Sequence, residues 1–314
     1  MFEAFSATLS AMLAMFCCIF AGFVLRKKNL MPENTDCVLS KLLTYAIAPA
    51  LTFSTFSQNF NFASLMQHYS LILYSCLIIG LAVLLSGPLS RLFAREGYAR
   101  NIYKYAMVFA NYGYMGNAIV LVIFGSEILY YYMLFTIPLN TVCLSWGMTQ
   151  LIPGKGGLKG TLLRILNPST IAMGLGILAG LLNLKAYMPE FVTTALNNLG
   201  NCMGPIAMVL SGCVVGMYDM KKMLTNKKIY LASVLRLTVL PALFCGILLL
   251  LGADKLVLTL ALVAFATPLG LNTVVFPAAY GADTSIGAGM ALISHVLSVI
   301  TFPLMYMLFT VVIH

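Results

Sequence analysis

Charge is what this sequence has least of. Only 9% of its residues are charged and 61% are hydrophobic, against roughly 25% and 45–50% in soluble domains. That balance excludes a soluble globular class. Long polar stretches are also missing, so no soluble domain fits between the apolar runs. The nine acidic residues are Glu3, Glu33, Asp36, Glu96, Glu127, Glu190, Asp219, Asp254 and Asp283, all near the ends of apolar runs or between them. No carboxylate stands mid-run. A sodium–proton antiporter relay is therefore excluded, because a cation inside the bilayer needs a counter-charge. The eight cysteines include no CxxC pair. Neither a disulfide framework nor a cysteine metal site is expected, and they read as small packing residues. HExxH, an aspartate-rich prenyl-diphosphate motif and a usable Ser/His/Asp set are absent too, so neither an enzyme nor a cofactor is expected.

What is present is apolar length. About 20 residues span a bilayer, and ten such runs are predicted as helices: 3–25, 38–56, 66–90, 102–124, 127–151, 167–184, 190–217, 229–251, 255–279 and 284–312. The first is read as a span rather than a cleaved signal, since it opens on Glu3 and its apolar run exceeds the usual signal length. The net charge of +9 is unevenly spread. Arg26, Lys27, Lys28 and Lys41 flank the first connection, and Arg91, Arg95, Arg100 and Lys104 the third. Lys155, Lys159 and Arg164 flank the fifth, and Lys221, Lys222, Lys227 and Lys228 the seventh. The opposite side holds only Lys185 and Lys255. This positive-inside bias predicts a multi-pass protein of the cytoplasmic membrane with both termini outside. The same distribution speaks against a nucleic-acid partner.

The chain also repeats itself at an offset of 156 residues. Pro49 aligns with Pro205, Phe109 and Ala110 with Phe265 and Ala266, Gly125 with Gly281, and Glu127 with Asp283. Each half holds five spans, so an odd count makes the second half inverted relative to the first. In both halves a polar, helix-breaking stretch interrupts an apolar run: ANYGYMGN, 110–117, and ATPLGLN, 266–272. Paired interruptions of this kind point to a transporter's binding site. Backbone polar groups inside a bilayer must be satisfied, so such stretches belong where protein or a wet cavity surrounds them. If the two segments cross at mid-depth, two half-helix N-termini converge and offer free amide hydrogens to an anion. The candidate substrate-binding residues are Asn111, Tyr112, Gly113, Gly116, Asn117, Thr267, Pro268, Asn272 and His295.

Two ionisable groups fall inside spans. Arg236 fits either an anion-facing position or a snorkelling one, being eight residues from Lys228. His295 fits a site residue, a coupling-proton carrier or a structural histidine. GLGILAG, 174–180, is read as a close-packing stripe rather than a phosphate loop, since no strand precedes it. Tyr130, Tyr131 and Tyr132 open a span and are expected in an interfacial belt.

These segments resemble one family across essentially the whole chain. ATPLGLNTVVFPAAYGAD, 266–283, is similar to the auxin efflux carrier family's pattern of A-x-P, then Asn, then Tyr-Gly-x-Asp. Asn111-Tyr-Gly-Tyr-Met-Gly116 is similar to its Asn-x-Gly-Phe-x-Gly. Ser294 to Pro303 resembles its Ser-Thr-x-x-Ser-x-x-Thr-x-Pro. Asn167-Pro168 and Pro49-Ala50-Leu51 match weaker signals. Ala118 replaces a frequent proline, and His295 stands where threonine is usual. The resemblance, which extends to a bacterial branch of malate and malonate permeases, implies two inverted five-helix repeats with crossing broken helices four and nine. This is the architecture of sodium/proton antiporters and bile acid symporters. It implies scaffold helices over 1–56 and 167–218, a mobile core over 57–166 and 219–314, and a homodimer through the scaffold. The expected function is transport of a small organic anion, a mono- or dicarboxylate, by alternating access, with a proton or sodium as the candidate coupling ion. A sodium-coupled symporter of the bile acid type is the runner-up. A membrane sensor without flux is the reading from another class, and the short connections offer it no signalling module.

Overall fold

Prolines and glycines decide where the helices of this chain bend, end and touch. The computed structural model describes residues 2–152, 158–218, 225–279 and 282–313, and among them every regular element is helical. The main elements are α1 (Phe2–Lys27), α2 (Thr35–Asn59), α3 (Phe62–Gln67), α4 (Ser70–Arg91), α5 (Gly97–Val108) and α6 (Asn117–Val142). They continue with α7 (Met148–Leu151), α8 (Leu158–Ile165), α9 (Pro168–Leu181), α10 (Glu190–Gly216) and α11 (Lys227–Leu250). The chain closes with α12 (Lys255–Ala266), α13 (Asn272–Ala279) and α14 (Ser285–Ile313). Among the described residues seven stretches are long and apolar enough to cross a membrane, one of them running from Gly97 to Leu151; α9 and α12 are apolar but shorter. The protein is thus a polytopic all-α membrane protein, as its composition predicts. Lys155, Asp219, Lys221, Lys222 and Gly281 lie outside the described residues.

Proline reshapes two helices without ending them. Its ring clashes with the carbonyl four residues earlier. For Pro49 and Pro241 that residue is Tyr45 or Leu237, and each lies in a widened π-helical turn, Leu43–Ile47 or Leu235–Val239. The extra residue moves the carbonyl away from the ring. At Gly125 the backbone takes φ +83°, open to glycine alone at low cost, and α6 bends there into two arms.

Glycine sets the tightest helix contacts. A Cβ at Gly212 of α10 would strike the Ile19 carbonyl of α1, and one at Gly216 would lie 2.9 Å from Arg26 Cβ. In α9, a Cβ at Gly176 would lie 2.8 Å from Phe56 Cβ of α2, and one at Gly180 2.8 Å from the Phe60 carbonyl. The glycine-rich run is therefore a packing stripe, as its position inside a span predicts. Leu84 and Leu250 are among the apolar residues left on the outer surface, which in a bilayer faces lipid.

Candidate functional site

Both interruptions unwind, and they meet. In the first, α5 ends at Val108 and Phe109 is extended (φ −109°, ψ 133°). Asn111 follows, its carbonyl accepting from Met115 N and Gly116 N at 3.1 and 2.9 Å. This closes the π-helical turn Tyr112–Gly116 that leads into α6. In the second, α12 stops at Ala266 and Thr267 is extended (φ −68°, ψ 153°), because a residue before proline avoids the helical region. The chain resumes as α13 at Asn272. The two breaks answer each other's unpaired backbone: Asn111 N–H donates to the Pro268 carbonyl at 2.7 Å. Gly270 lies over Asn111, its Cβ position 3.5 Å from the Asn111 Cα.

Side chains from neighbouring helices hold this meeting of the breaks. Leu269 N–H donates to Ser294 Oγ of α14 at 3.0 Å. Asn272 Nδ2 donates to the Tyr105 hydroxyl at 3.0 Å, and that hydroxyl also meets Cys143 Sγ at 3.2 Å. The Tyr112 hydroxyl donates to Asn140 Oδ1 at 2.9 Å. Gly116 leaves room for the Tyr132 hydroxyl, which donates to the Tyr112 carbonyl at 2.9 Å. Gly113 has open space where a Cβ would be.

Of the residues singled out by sequence, Asn111 and Pro268 are bonded together, and Tyr112, Gly113 and Gly116 form the turn that follows Asn111. Asn272 opens α13 beside Tyr105. Thr267, Asn117 and His295 stand differently. Among the described residues, Thr267 Oγ1, Asn117 Oδ1 and His295 Nε2 are buried without a hydrogen-bond partner. His295 Nδ1 lies 2.7 Å from the Ala291 carbonyl. An acceptor there requires Nδ1 to carry the proton, which leaves Nε2 bare in the neutral ring. Arg236 does not snorkel. It is fully buried, with Nη1 on the Phe265 carbonyl at 2.6 Å.

Sequence reasoning missed several parts. Tyr105, Cys143 and Asn140 hold the meeting of the breaks, yet inside apolar runs they read as ordinary packing residues; Ser294, which opens a family-like segment, holds it too. Tyr130 and Tyr132 form no interfacial belt, because both are fully buried inside the bundle. Tyr130 stacks edge-on against Phe56, ring centroids 5.4 Å apart. Position at a span's start carries no information on which way a tyrosine faces.

A cavity of about 250 Å³ lies elsewhere in the bundle. It opens between α2, α6 and α10 and is lined by Ser54, Thr55, Gln58, Ser126, Asn197 and Asn201. Ser54 Oγ donates to Asn197 Oδ1 at 2.6 Å, and Gln58 Nε2 to Ser54 Oγ at 2.7 Å. Leu121, also in the lining, is one helical turn beyond Asn117. Past the other end of α10, the Tyr218 and Thr284 hydroxyls meet at 2.7 Å.

Where the two breaks meet, the half-helices α6 and α13 begin and α5 and α12 end, and none of the described residues named there is acidic. Among the described residues no cluster of His, Cys, Asp and Glu could hold a metal. The sequence model described as "Membrane transport protein" matches the chain over residues 7–161 and 157–306. No curated protein matches it.

Proposed function

Because the chain belongs to the membrane transport protein family, that of the auxin efflux carriers, we propose that it carries a small organic anion, a mono- or dicarboxylate, across the cytoplasmic membrane. The observation that carries this reading is the bridge from Asn111 N–H to the Pro268 carbonyl. It joins two unwound segments so that the N-terminal ends of two half-helices meet in one buried place, where each contributes roughly half a positive charge. Asn111, Tyr112, Gly113, Gly116, Asn117, Thr267, Pro268, Asn272 and His295 are the proposed surroundings of the anion.

The proposed topology is ten spans in two inverted halves, with both termini outside. Residues 1–56 and 167–218 form a scaffold, past which the core of 57–166 and 219–314 carries the site. The Ser54–Asn197 cavity is then the open access route, and the Tyr218–Thr284 contact lies on the closed side. Efflux needs no coupling ion. A potential of about 100 mV, negative inside, favours export of one negative charge by about 2.3 kcal/mol.

A sodium-coupled mode is the second reading. Asn117 Oδ1 and Thr267 Oγ1 favour it, since both are buried oxygens without partners, and hard cations take oxygen ligands. One experiment addresses both. The purified protein is melted with acetate, lactate, malonate or malate, with and without sodium, from pH 5.5 to 8. A ligand that binds only the folded state stabilises it by about 2.7 kcal/mol at a hundred times its Kd. Stabilisation by a carboxylate without sodium, lost in Asn111→Ala and in Asn272→Ala, is expected. A shift that requires sodium selects the second reading, and no shift with any of the four removes the anion site.

A further inference from the structure

Arg236 is the one fully buried arginine among the described residues. It projects from the π-helical turn that accommodates Pro241. Its Nη1 contact, the Phe265 carbonyl, lies in the last turn of α12. There the carbonyls lack intrahelical partners and the helix presents its negative end. The guanidinium therefore sits where the first arm of a broken helix stops, and this contact answers part of its charge.

The rest is unanswered. Nε and Nη2 have no hydrogen-bond partner among the described residues. These two groups share one edge of the planar guanidinium, and their hydrogens point the same way. That is the edge that grips a carboxylate through two parallel hydrogen bonds. The chain has no acidic residue inside an apolar run to fill it. Thr267, two residues past Phe265 in this break, also has a buried Oγ1 without a partner, and Nε2 of His295, whose neighbour Ser294 on α14 accepts from Leu269 N–H in the break, is likewise buried without one. A buried cation with a vacant bidentate edge, at the end of an unwound helix, fits a ligand that brings its own negative charge.

We propose that Arg236 is the charge-selecting residue of the anion site. Its Nε–Nη2 edge receives a carboxylate of the transported anion while Nη1 stays on the Phe265 carbonyl. This rests on the crossing as the anion site and supplies what that reading lacks, a full positive charge to reject neutral solutes and cations. The edge is closed to solvent in this state, so the anion reaches it as α11 and the second break part.

Two measurements test this. In the first, wild type, Arg236→Lys and Arg236→Met are titrated with whichever of acetate, lactate, malonate and malate most stabilises the wild type. Lysine keeps the charge and can still cap Phe265 but has no bidentate edge. Arg236→Lys is expected to melt within a few degrees of wild type and to bind at least tenfold more weakly, and Arg236→Met to lose binding. In the second, the arginine Nε–H resonances of the wild type are followed by NMR. The one protected from solvent exchange is expected to move downfield on adding the same carboxylate.

Wild-type affinity in Arg236→Lys, or an unmoved Nε–H at saturation, would overturn the proposal. Should neither variant fold, the wild-type spectrum decides alone. If no carboxylate stabilises the wild type, the crossing reading falls and this one with it. If one does so through Asn111 while Arg236 stays silent, this proposal alone falls.

Discussion

At the scale of single residues, Gly113 and Gly116 separate two uses of glycine three positions apart. A Cβ on Gly116 would enter the space of the Tyr132 hydroxyl and break its bond to the Tyr112 carbonyl. A Cβ on Gly113 would meet nothing within 4 Å. Gly116→Ala is therefore expected to lower stability by about 1–3 kcal/mol, the usual cost of overpacking, and to weaken carboxylate binding. Gly113→Ala is expected to keep the wild-type melting temperature or exceed it, since alanine gains up to about 1 kcal/mol of helix propensity. Parallel melting curves with and without the carboxylate check both; equal behaviour of the pair would refute the assignment. Both glycines stand out in the sequence, but their difference does not, because it depends on a tyrosine from the next arm of α6. Arg236 hides for a similar reason. Eight residues from Lys228 is about 12 Å along a helix, within snorkelling reach, and only the widened turn before Pro241 and the end of α12 show that it faces inward.

At the scale of elements, close approach of backbones holds the helices together. Lipid tails are as apolar as leucine, so association inside a bilayer relies on packing rather than on exclusion of water. Gly212→Ala drives a methyl into the Ile19 carbonyl and must push α10 away from α1. Gly174→Ala, on the open face of α9, touches nothing within 4 Å. The first is expected to lower the melting temperature in detergent by several degrees, the second to hold or raise it; thermal unfolding of the two proteins decides. The stripe itself is readable in sequence, since small residues four apart in an apolar run have few other uses. The breaks are readable too: Asn111, Gly113 and Gly116 in one run, and Pro268, Gly270 and Asn272 in the other, contradict the helix that their neighbours specify. Their partnership is not readable. Which carbonyl receives the Asn111 amide hydrogen depends on how distant segments pack, and no local pattern encodes that.

At the scale of the whole molecule, the uneven placement of basic residues predicts an orientation in the membrane. In a background without its eight cysteines, Lys185→Cys is expected to react with an impermeant maleimide added to intact cells. Glu33→Cys is expected to react only after the membrane is opened, and the reverse pattern would invert the topology. The orientation that composition predicts is what this labelling tests. Assembly cannot be read from composition, and the bridge between the two breaks bears on it. While the second half is still being made, the Asn111 amide of the first has no acceptor, and a buried donor left alone costs on the order of 1–3 kcal/mol. Pro268 leaves the second half with a spare carbonyl in the same way. Each half of the chain thus supplies the backbone partner that the other half lacks.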